Sequence, residues 1–170
     1  MKQQEEIKSK FIRTQKALIL KPSMGIGVKV SKTRIISGLS CESREGDYVL
    51  KTDMPSQVGG NETGPTAGVL GRAALGSCLA IGYMMWASRL DVIIDSLEVH
   101  IVTKFDDGAL FDTSDSPPGY TEIKYHVKVV SPSRKEDVEN AINEGDKHSP
   151  YLDVFSRAQN CVRELEIKTT

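Results

Sequence analysis

The sequence predicts an α+β protein in which antiparallel sheets pack around one long, buried helix. Three observations support this: a stretch of small and apolar residues over 66–89, two long alternating segments over 94–105 and 121–130, and the order of the elements. That order is helix, strands, buried helix, long strands, helix and strand. Because strands do not alternate one for one with helices, it favours layered α+β packing over a doubly wound parallel sheet.

The first 20 residues predict a helix that precedes the main domain. Ile7, Phe11 and Leu18 form its modest apolar stripe, and the segment 21–25, with a proline and a glycine, ends it. A length of 170 residues suits one domain. We therefore divide the chain into an N-terminal helical extension, 1–24, and one α+β domain, 25–170.

A β-rich region and a glycine-rich loop lead to the long helix. Strand-forming residues begin at Val28, a turn is expected at 46–47, a second strand at 48–52 and a loop at 59–65. Thr66 is the expected N-cap. The residues that share one face of the helix are Leu70, Ala74, Cys78, Ile81 and Met85. Because nearly every other position is also small or apolar, the helix should be buried on most sides.

The second half of the chain predicts two strands, a helix and a last strand. Strict alternation over 121–130 indicates a sheet with one solvent-facing side, and His100 and His126 share faces with charged residues, so both should meet solvent. Ser133 and Glu136 have the spacing of a capping box, which starts the second helix near Ser133. Alternation over 161–167 predicts the last strand.

The charge pattern argues against a nucleic-acid or membrane partner. The net charge is −1, and no block of Lys and Arg is present to bind phosphates. The longest uncharged run, 73–88, has 16 residues, fewer than the roughly 20 that span a bilayer. A buried helix explains this run better than a membrane span.

The cysteines and histidines indicate a thiol protein without a metal. Three cysteines without a C-x-x-C motif fit a reducing compartment, so we expect a cytoplasmic protein. The three histidines lack metal-ligand spacing, and neither a P-loop nor a nucleophile elbow is present. We expect no metal and no cofactor.

Cys78 lies in the most apolar helix, where a cysteine is often only a small buried hydrophobe. A reactive role requires a cation, a base or a helix N-terminus that favours the thiolate. Cys78 is about three turns into the helix, too far for the helix dipole. Arg72, six positions earlier, is on another face. Any activating cation must therefore come from elsewhere in the fold.

One stretch of the sequence resembles a known family. Gly59-Gly60, then Gly64-Pro65-Thr66, then Ala73-Ala-Leu-Gly-Ser-Cys78 are similar to the signature of the osmotically inducible protein C / organic hydroperoxide resistance superfamily. The two long strands and second helix also follow in the family's order, so the resemblance covers roughly 28–167. It implies an OsmC-like domain in an intertwined homodimer, with active sites at the subunit interface.

The resemblance also implies a mechanism in which a thiolate attacks the O–O bond of an organic hydroperoxide and becomes a sulfenic acid. A second cysteine then forms a disulfide with the first, and a dithiol reduces this disulfide again.

This chain departs from the family in two places. Where the family often has a cysteine followed by a proline, this chain has Lys-His-Ser-Pro over 147–150. Where the family has a glutamate, this chain has Gly68-Val69.

Several residues could support Cys78. Arg34 and Arg44 lie in the strands before the loop and are possible thiolate partners, or ordinary surface residues. His148 would lie near Cys78 if it takes the place of the second cysteine, or else be a surface histidine. Cys161 is a possible resolving cysteine. Alternatively, Cys161 and Cys41 are both inert thiols.

Two functions therefore remain open. The first is a one-cysteine peroxidase that reduces organic hydroperoxides in oxidative-stress defence, with Cys78 as nucleophile and an external thiol or dithiol as reductant. The second is a non-catalytic homodimer that keeps the family's pocket to bind a small apolar or thiol ligand. A purely structural role for Cys78 is a weaker third option. The surroundings of Cys78 discriminate among them, because a nearby guanidinium and an open pocket favour the enzyme.

Overall fold

The computed structural model describes residues 2–169 and contains five α-helices and five strands over that range. The helices are α1 (Lys2–Leu20), α2 (Ala67–Arg89), α3 (Asp107–Leu110), α4 (Lys135–Lys147) and α5 (Pro150–Ser156). The strands are β1 (Lys32–Ser37), β2 (Ser40–Glu45), β3 (Tyr48–Thr52), β4 (Ser96–Lys104) and β5 (Glu122–Val130). Short 3-10 turns occupy Pro22–Gly25 and Ser56–Val58. The predicted α+β class is confirmed.

The two predicted long strands form an antiparallel pair whose inner face packs on α2. The register runs from Ser96 opposite Val130 to Lys104 opposite Glu122. Leu97, Val99 and Ile101 of β4 are packed with Ile123 and Val127 of β5 against the buried α2 residues Leu75, Leu79 and Tyr83. The period-two pattern of the sequence therefore corresponds to a half-buried sheet.

Helix α2 buries one face and exposes the other in the single chain. Its buried residues are Leu75, Leu79, Tyr83, Ala87 and Ser88. On the opposite face Ile81 is 61% exposed, and Val69 and Met85 are 43% and 41% exposed. The burial on most sides that the sequence predicts is therefore not present within one chain. By length and composition α2 could span a bilayer, as many core helices could, but its inner face packs on protein.

The three-stranded sheet β1-β2-β3 is a meander of two antiparallel hairpins. Gly38 and Gly46 occupy its turns with φ of 55°, a backbone conformation that glycine adopts without strain. The turn at 46–47 and strand β3 were predicted, whereas β2 was not, because its sequence SCESRE is polar and lacks an apolar alternation. Ile35 and Ile36 of this sheet are more than half exposed.

Helix α1 packs on the C-terminal half of α2. The Phe11 ring meets Trp86 edge-on, with 5.1 Å between ring centroids. Gln4 Nε2 donates to the Val92 carbonyl oxygen at 3.2 Å, and Lys8 pairs with Asp91. The extension is therefore attached to the domain by an aromatic contact in its middle and polar contacts near its start.

Two predictions about the second half of the chain are wrong. Helix α4 has Arg134 as its N-cap, without a side-chain cap bond, because the Ser133 hydroxyl instead accepts a hydrogen bond from Ile93 N. Residues 157–169 form neither strand nor helix. Alternation alone does not make a strand, because a strand needs an adjacent edge to pair with.

Candidate functional site

The loop before α2 is organised by a buried carboxylate. Asp53 is 3% exposed and accepts hydrogen bonds from the Thr63 hydroxyl at 2.8 Å and from the amides of Met54, Asn61 and Thr63. The Thr63 hydroxyl and these amides lower the pKa of Asp53. The Gly59–Pro65 region is thus held in one conformation where the predicted N-cap Thr66 accepts a bond from Val69 N.

Cys78 lies half-buried on α2, and its sulfur faces the start of α5. Its Sγ lies 3.4 Å from Ser149 Oγ. Among residues 2–169, Ser149 is the one residue that hydrogen-bonds the Cys78 side chain. Ser149 is itself only 5% exposed. Cys78 is therefore paired with a buried hydroxyl rather than enclosed only by apolar groups.

Ser149 is held in place by the backbone on both sides of it. Its amide donates to the Asp146 carbonyl at 3.2 Å, and its hydroxyl oxygen accepts from Leu152 N at 3.2 Å as the N-cap of α5. Ser149 Oγ thus accepts a hydrogen bond from the backbone of α5 and at the same time lies next to Cys78 Sγ. These contacts fix the position of the Ser149 hydroxyl oxygen beside sulfur.

Two tyrosines anchor the end of α4 just before Ser149. Tyr83 Oη donates to Asp146 Oδ1 at 2.5 Å, and Tyr125 Oη donates to Asp146 Oδ2 at 3.2 Å. Burial, with the Asp146 carboxylate beside it, raises the pKa of Tyr83 far above its usual range, and the same causes raise the pKa of Tyr125. Both phenols stay neutral donors, so they hold α4 against α2 and β5.

Within residues 2–169, no hydrogen bond joins His148 to Cys78. Its ring lies on Trp86, with 4.6 Å between ring centroids, and its Nδ1 is 2.8 Å from the Glu144 carbonyl oxygen. The Trp86 ring also meets Phe11 of α1. The residue that occupies the place next to Cys78 is Ser149, one position later in the chain.

The predicted cationic partners lie on the exposed three-stranded sheet. Arg34 and Arg44, 70% and 55% exposed at their side chains, both pair with Glu42. These contacts lower the pKa of Glu42, chiefly through the Arg44 hydrogen bond. Neither guanidinium hydrogen-bonds Cys78 within the described chain. Arg72 donates instead to Tyr120 Oη at 3.5 Å.

The other two cysteines form no disulfide with Cys78 in the described residues. Cys41 is half-buried on β2, and Cys161 is exposed in the irregular segment after α5; all three cysteines are free. Cys161 as a resolving cysteine therefore stays a prediction. Within residues 2–169 no three His, Cys, Asp or Glu side chains group together as metal ligands.

The family model for OsmC-like proteins matches residues 59–162, well over half of the chain. The chain belongs to the OsmC-like protein family. The match begins at the double glycine and takes in α2, β4, β5, α4 and α5, so the residues around Cys78 all lie within it. The sequence signature that suggested this family is thereby confirmed. None of the curated protein sequences is similar enough to this chain to count as a match.

Solved structures share the fold of this OsmC-like chain at low sequence identity. An OsmC-like protein from Mycoplasma pneumoniae has a TM-score of 0.64 and 15% identity, covering 76% of this chain and 87% of its own. An organic hydroperoxide resistance protein from Elizabethkingia anophelis has a TM-score of 0.58 and 12% sequence identity. The match covers 77% of this chain and 89% of that protein. An organic hydroperoxide resistance protein from Legionella pneumophila has a TM-score of 0.57 and 12% sequence identity. The match covers 77% of this chain and 90% of that protein. At these identities the likeness establishes the fold.

Ser149 is the site residue that sequence reasoning missed. The signal was present in the Ser-Pro pair at 149–150, which stands where the family has a cysteine before proline. The sequence favours His148 instead, because histidine activates thiols more often than serine does. Only the fold shows which residue of this short segment faces sulfur.

Proposed function

We propose that this OsmC-like chain is a one-cysteine peroxidase that reduces organic hydroperoxides, with Cys78 as the nucleophile. The observation that carries the proposal is the 3.4 Å contact between Cys78 Sγ and the buried Ser149 hydroxyl. A cysteine that served only as packing would be surrounded by apolar groups. Two of the similar structures also belong to proteins described as organic hydroperoxide resistance proteins.

In the first half-reaction, the Cys78 thiolate attacks one oxygen of the hydroperoxide. An S–O bond forms, the O–O bond breaks, and the departing alkoxide takes a proton to leave as an alcohol. Sulfur gives up two electrons and becomes a sulfenic acid, while the hydroperoxide is reduced by the same two electrons.

In the second half-reaction, an external thiol reduces the sulfenic acid. Its sulfur attacks Cys78 Sγ, a mixed disulfide forms and water leaves; a second thiol then releases the Cys78 thiolate as the reductant becomes a disulfide. In this proposal the reductant comes from outside, because Ser149, which contacts Cys78, has no sulfur to form a disulfide.

Alkylation of Cys78 as a function of pH tests whether it is a working nucleophile. In a variant with Cys41→Ser and Cys161→Ser, we expect iodoacetamide to react with a midpoint well below the value of about 8.5 for free cysteine. One equivalent of cumene hydroperoxide should then give a sulfenic acid that dimedone traps. An unshifted midpoint with no trapped adduct would refute the peroxidase.

We further propose that the chain forms a homodimer. Exposed apolar residues lie on two surfaces, the outer face of α2 and the three-stranded sheet. They are Val69, Ile81, Met85, Ile35, Ile36, Val49 and Leu50. Exposed apolar residues that share one surface commonly mark an interface with another chain. A second copy that covers α2 would also bring its own three-stranded sheet, with its arginines, toward the cysteine helix.

Substitution of Ile81 by glutamate tests the dimer. A charge on the outer face of α2 would be buried without a partner in the interface, so we expect the variant to sediment as a monomer while the unmodified chain sediments as a dimer. Val102→Glu is the matched control, because Val102 is 58% exposed on the outward side of β4 and should leave the dimer intact. Equal sedimentation of all three proteins at the monomer position would contradict the proposal.

A second candidate function is a non-catalytic dimer that binds a small apolar or thiol ligand. The observation that favours it is a groove of about 710 Å³ between α1, α2 and β4. Ile7, Ile81, Met84, Met85 and Leu97 line its apolar part. Because this groove excludes Cys78, ligand binding there would leave the thiol unaffected, and the alkylation experiment separates the two functions.

A further inference from the structure

We propose that the Ser149 hydroxyl donates a hydrogen bond to the Cys78 thiolate and is a catalytic residue of the site. The inference rests on the proposed peroxidase function, which supplies the reaction that the thiolate performs. The contact joins Ser149 Oγ to Cys78 Sγ at 3.4 Å, within the range for a hydrogen bond to sulfur.

The direction of this bond follows from the other partner of the hydroxyl. Leu152 N donates to Ser149 Oγ at 3.2 Å, so the oxygen serves as an acceptor on the side of α5. A serine hydroxyl has one proton to give, and Cys78 Sγ is the one acceptor within bonding distance of it among the described residues. A thiolate has no proton of its own, so when Cys78 is ionised the Ser149 hydroxyl is the donor of this bond.

A donor at this place favours the charged form of the thiol. A thiolate accepts a hydrogen bond much more strongly than a neutral thiol does, because bonds to ionised groups are the stronger ones. Ser149 is 5% exposed, so little water competes for the same position. The donor is also fixed before the reaction, which means that no reorganisation is needed when the thiolate forms.

The surroundings of Ser149 keep the donor in place. Asp146, which accepts from the Ser149 amide, is held by Tyr83 and Tyr125. His148, its neighbour, lies on Trp86. Two separate contacts with α2, one polar and one aromatic, thus fix the segment that carries the hydroxyl.

The test compares four proteins that all carry Cys41→Ser and Cys161→Ser: one with Ser149 intact, and the others with Ser149→Ala, Ser149→Thr or Ser133→Ala. In Ser149→Ala we expect the alkylation midpoint to rise and the rate with cumene hydroperoxide at pH 7 to fall at least about tenfold, as for the loss of a hydrogen bond to a charged group. Ser149→Thr keeps the hydroxyl and should restore most of the rate. Ser133→Ala also removes a serine-to-backbone bond, with Ile93, and should change neither quantity.

The loss of a helix cap must be separated from the loss of the donor. Ser149→Gly also lacks the hydroxyl, but glycine caps a helix almost as well as serine, so this variant should remain folded and show the same shift as Ser149→Ala. Folded Ala or Gly variants whose alkylation midpoint matches that of the intact protein would overturn the inference. Because alkylation needs no hydroperoxide, this result stands even if the peroxidase proposal fails.

Ser149→Cys tests the geometry independently of the rate. A thiol at this position should condense with the Cys78 sulfenic acid after one equivalent of cumene hydroperoxide, with formation of an S–S bond and release of water. We expect both thiols to disappear together and a dithiol to restore them. Accumulation of a stable sulfenic acid beside a free second thiol would show that position 149 does not face Cys78.

Discussion

Replacing Cys78 with alanine should reduce hydroperoxide consumption to the rate measured without protein. The proposed reaction forms a bond to this sulfur, and Ser149, its hydrogen-bond partner, cannot substitute as a nucleophile because an alcohol is not ionised near neutral pH. The measurement is consumption of cumene hydroperoxide in the presence of a small dithiol. Loss should be complete rather than partial, since no step of the cycle proceeds without the thiolate.

The matched control for this experiment is the double variant Cys41→Ser with Cys161→Ser. All three cysteines are free, and the proposed cycle uses neither Cys41 nor Cys161, so the double variant should consume hydroperoxide at the rate of the unmodified chain. Residual activity in Cys78→Ala that disappears in the triple variant would assign the chemistry to Cys41 or Cys161 instead. The same outcome would also leave the contact with Ser149 without a catalytic meaning.

Replacing Gly145 with alanine should destabilise the fold by about 2–3 kcal/mol, because an added methyl would overlap a filled core. A Cβ at this position would collide with the ring of Tyr83 and lie 3.3 Å from its backbone nitrogen. Tyr83 is fully buried and cannot swing away without losing its bond to Asp146. For a chain of this size we expect the melting temperature to fall by about 5–10 °C.

Gly82→Ala is the control, because it changes the other helix of the same contact. A Cβ at position 82 would meet only the Gly145 carbonyl oxygen, at the ordinary contact distance of 3.9 Å. Alanine is favoured over glycine inside a helix by about 1 kcal/mol, so this variant should be as stable as the original or slightly more so. The two substitutions should change stability in opposite directions. This difference is diagnostic, because helix propensity alone would stabilise both variants. Equal melting temperatures for both would mean that α2 and α4 do not approach closely.

The sequence predicted the elements whose patterns are strong and local. The helix over 66–89 is predicted by its length, its Thr66 cap and its uncharged run over 73–88, and the structure has it at Ala67–Arg89. The pair β4 and β5 was recognised because a period of two has few alternative explanations over nine residues. Weak or competing patterns failed: β2 is polar, Ser133 bonds Ile93 instead of capping α4, and 161–167 alternates without forming a strand.

The sequence by itself determined the α+β class, the family signature and Cys78 as the residue of interest, because each depends on neighbouring positions along the chain. Tertiary structure alone decided which side chain meets Cys78. Positions 78 and 149 are brought together by the packing of α4 and α5 on α2, and that packing depends on contacts such as Tyr83 with Asp146 and the small Gly145. A difference of one position, from His148 to Ser149, changes the partner of the sulfur from an imidazole to a hydroxyl. Spacing along a chain cannot resolve that difference at a helix end, since successive residues there point in different directions.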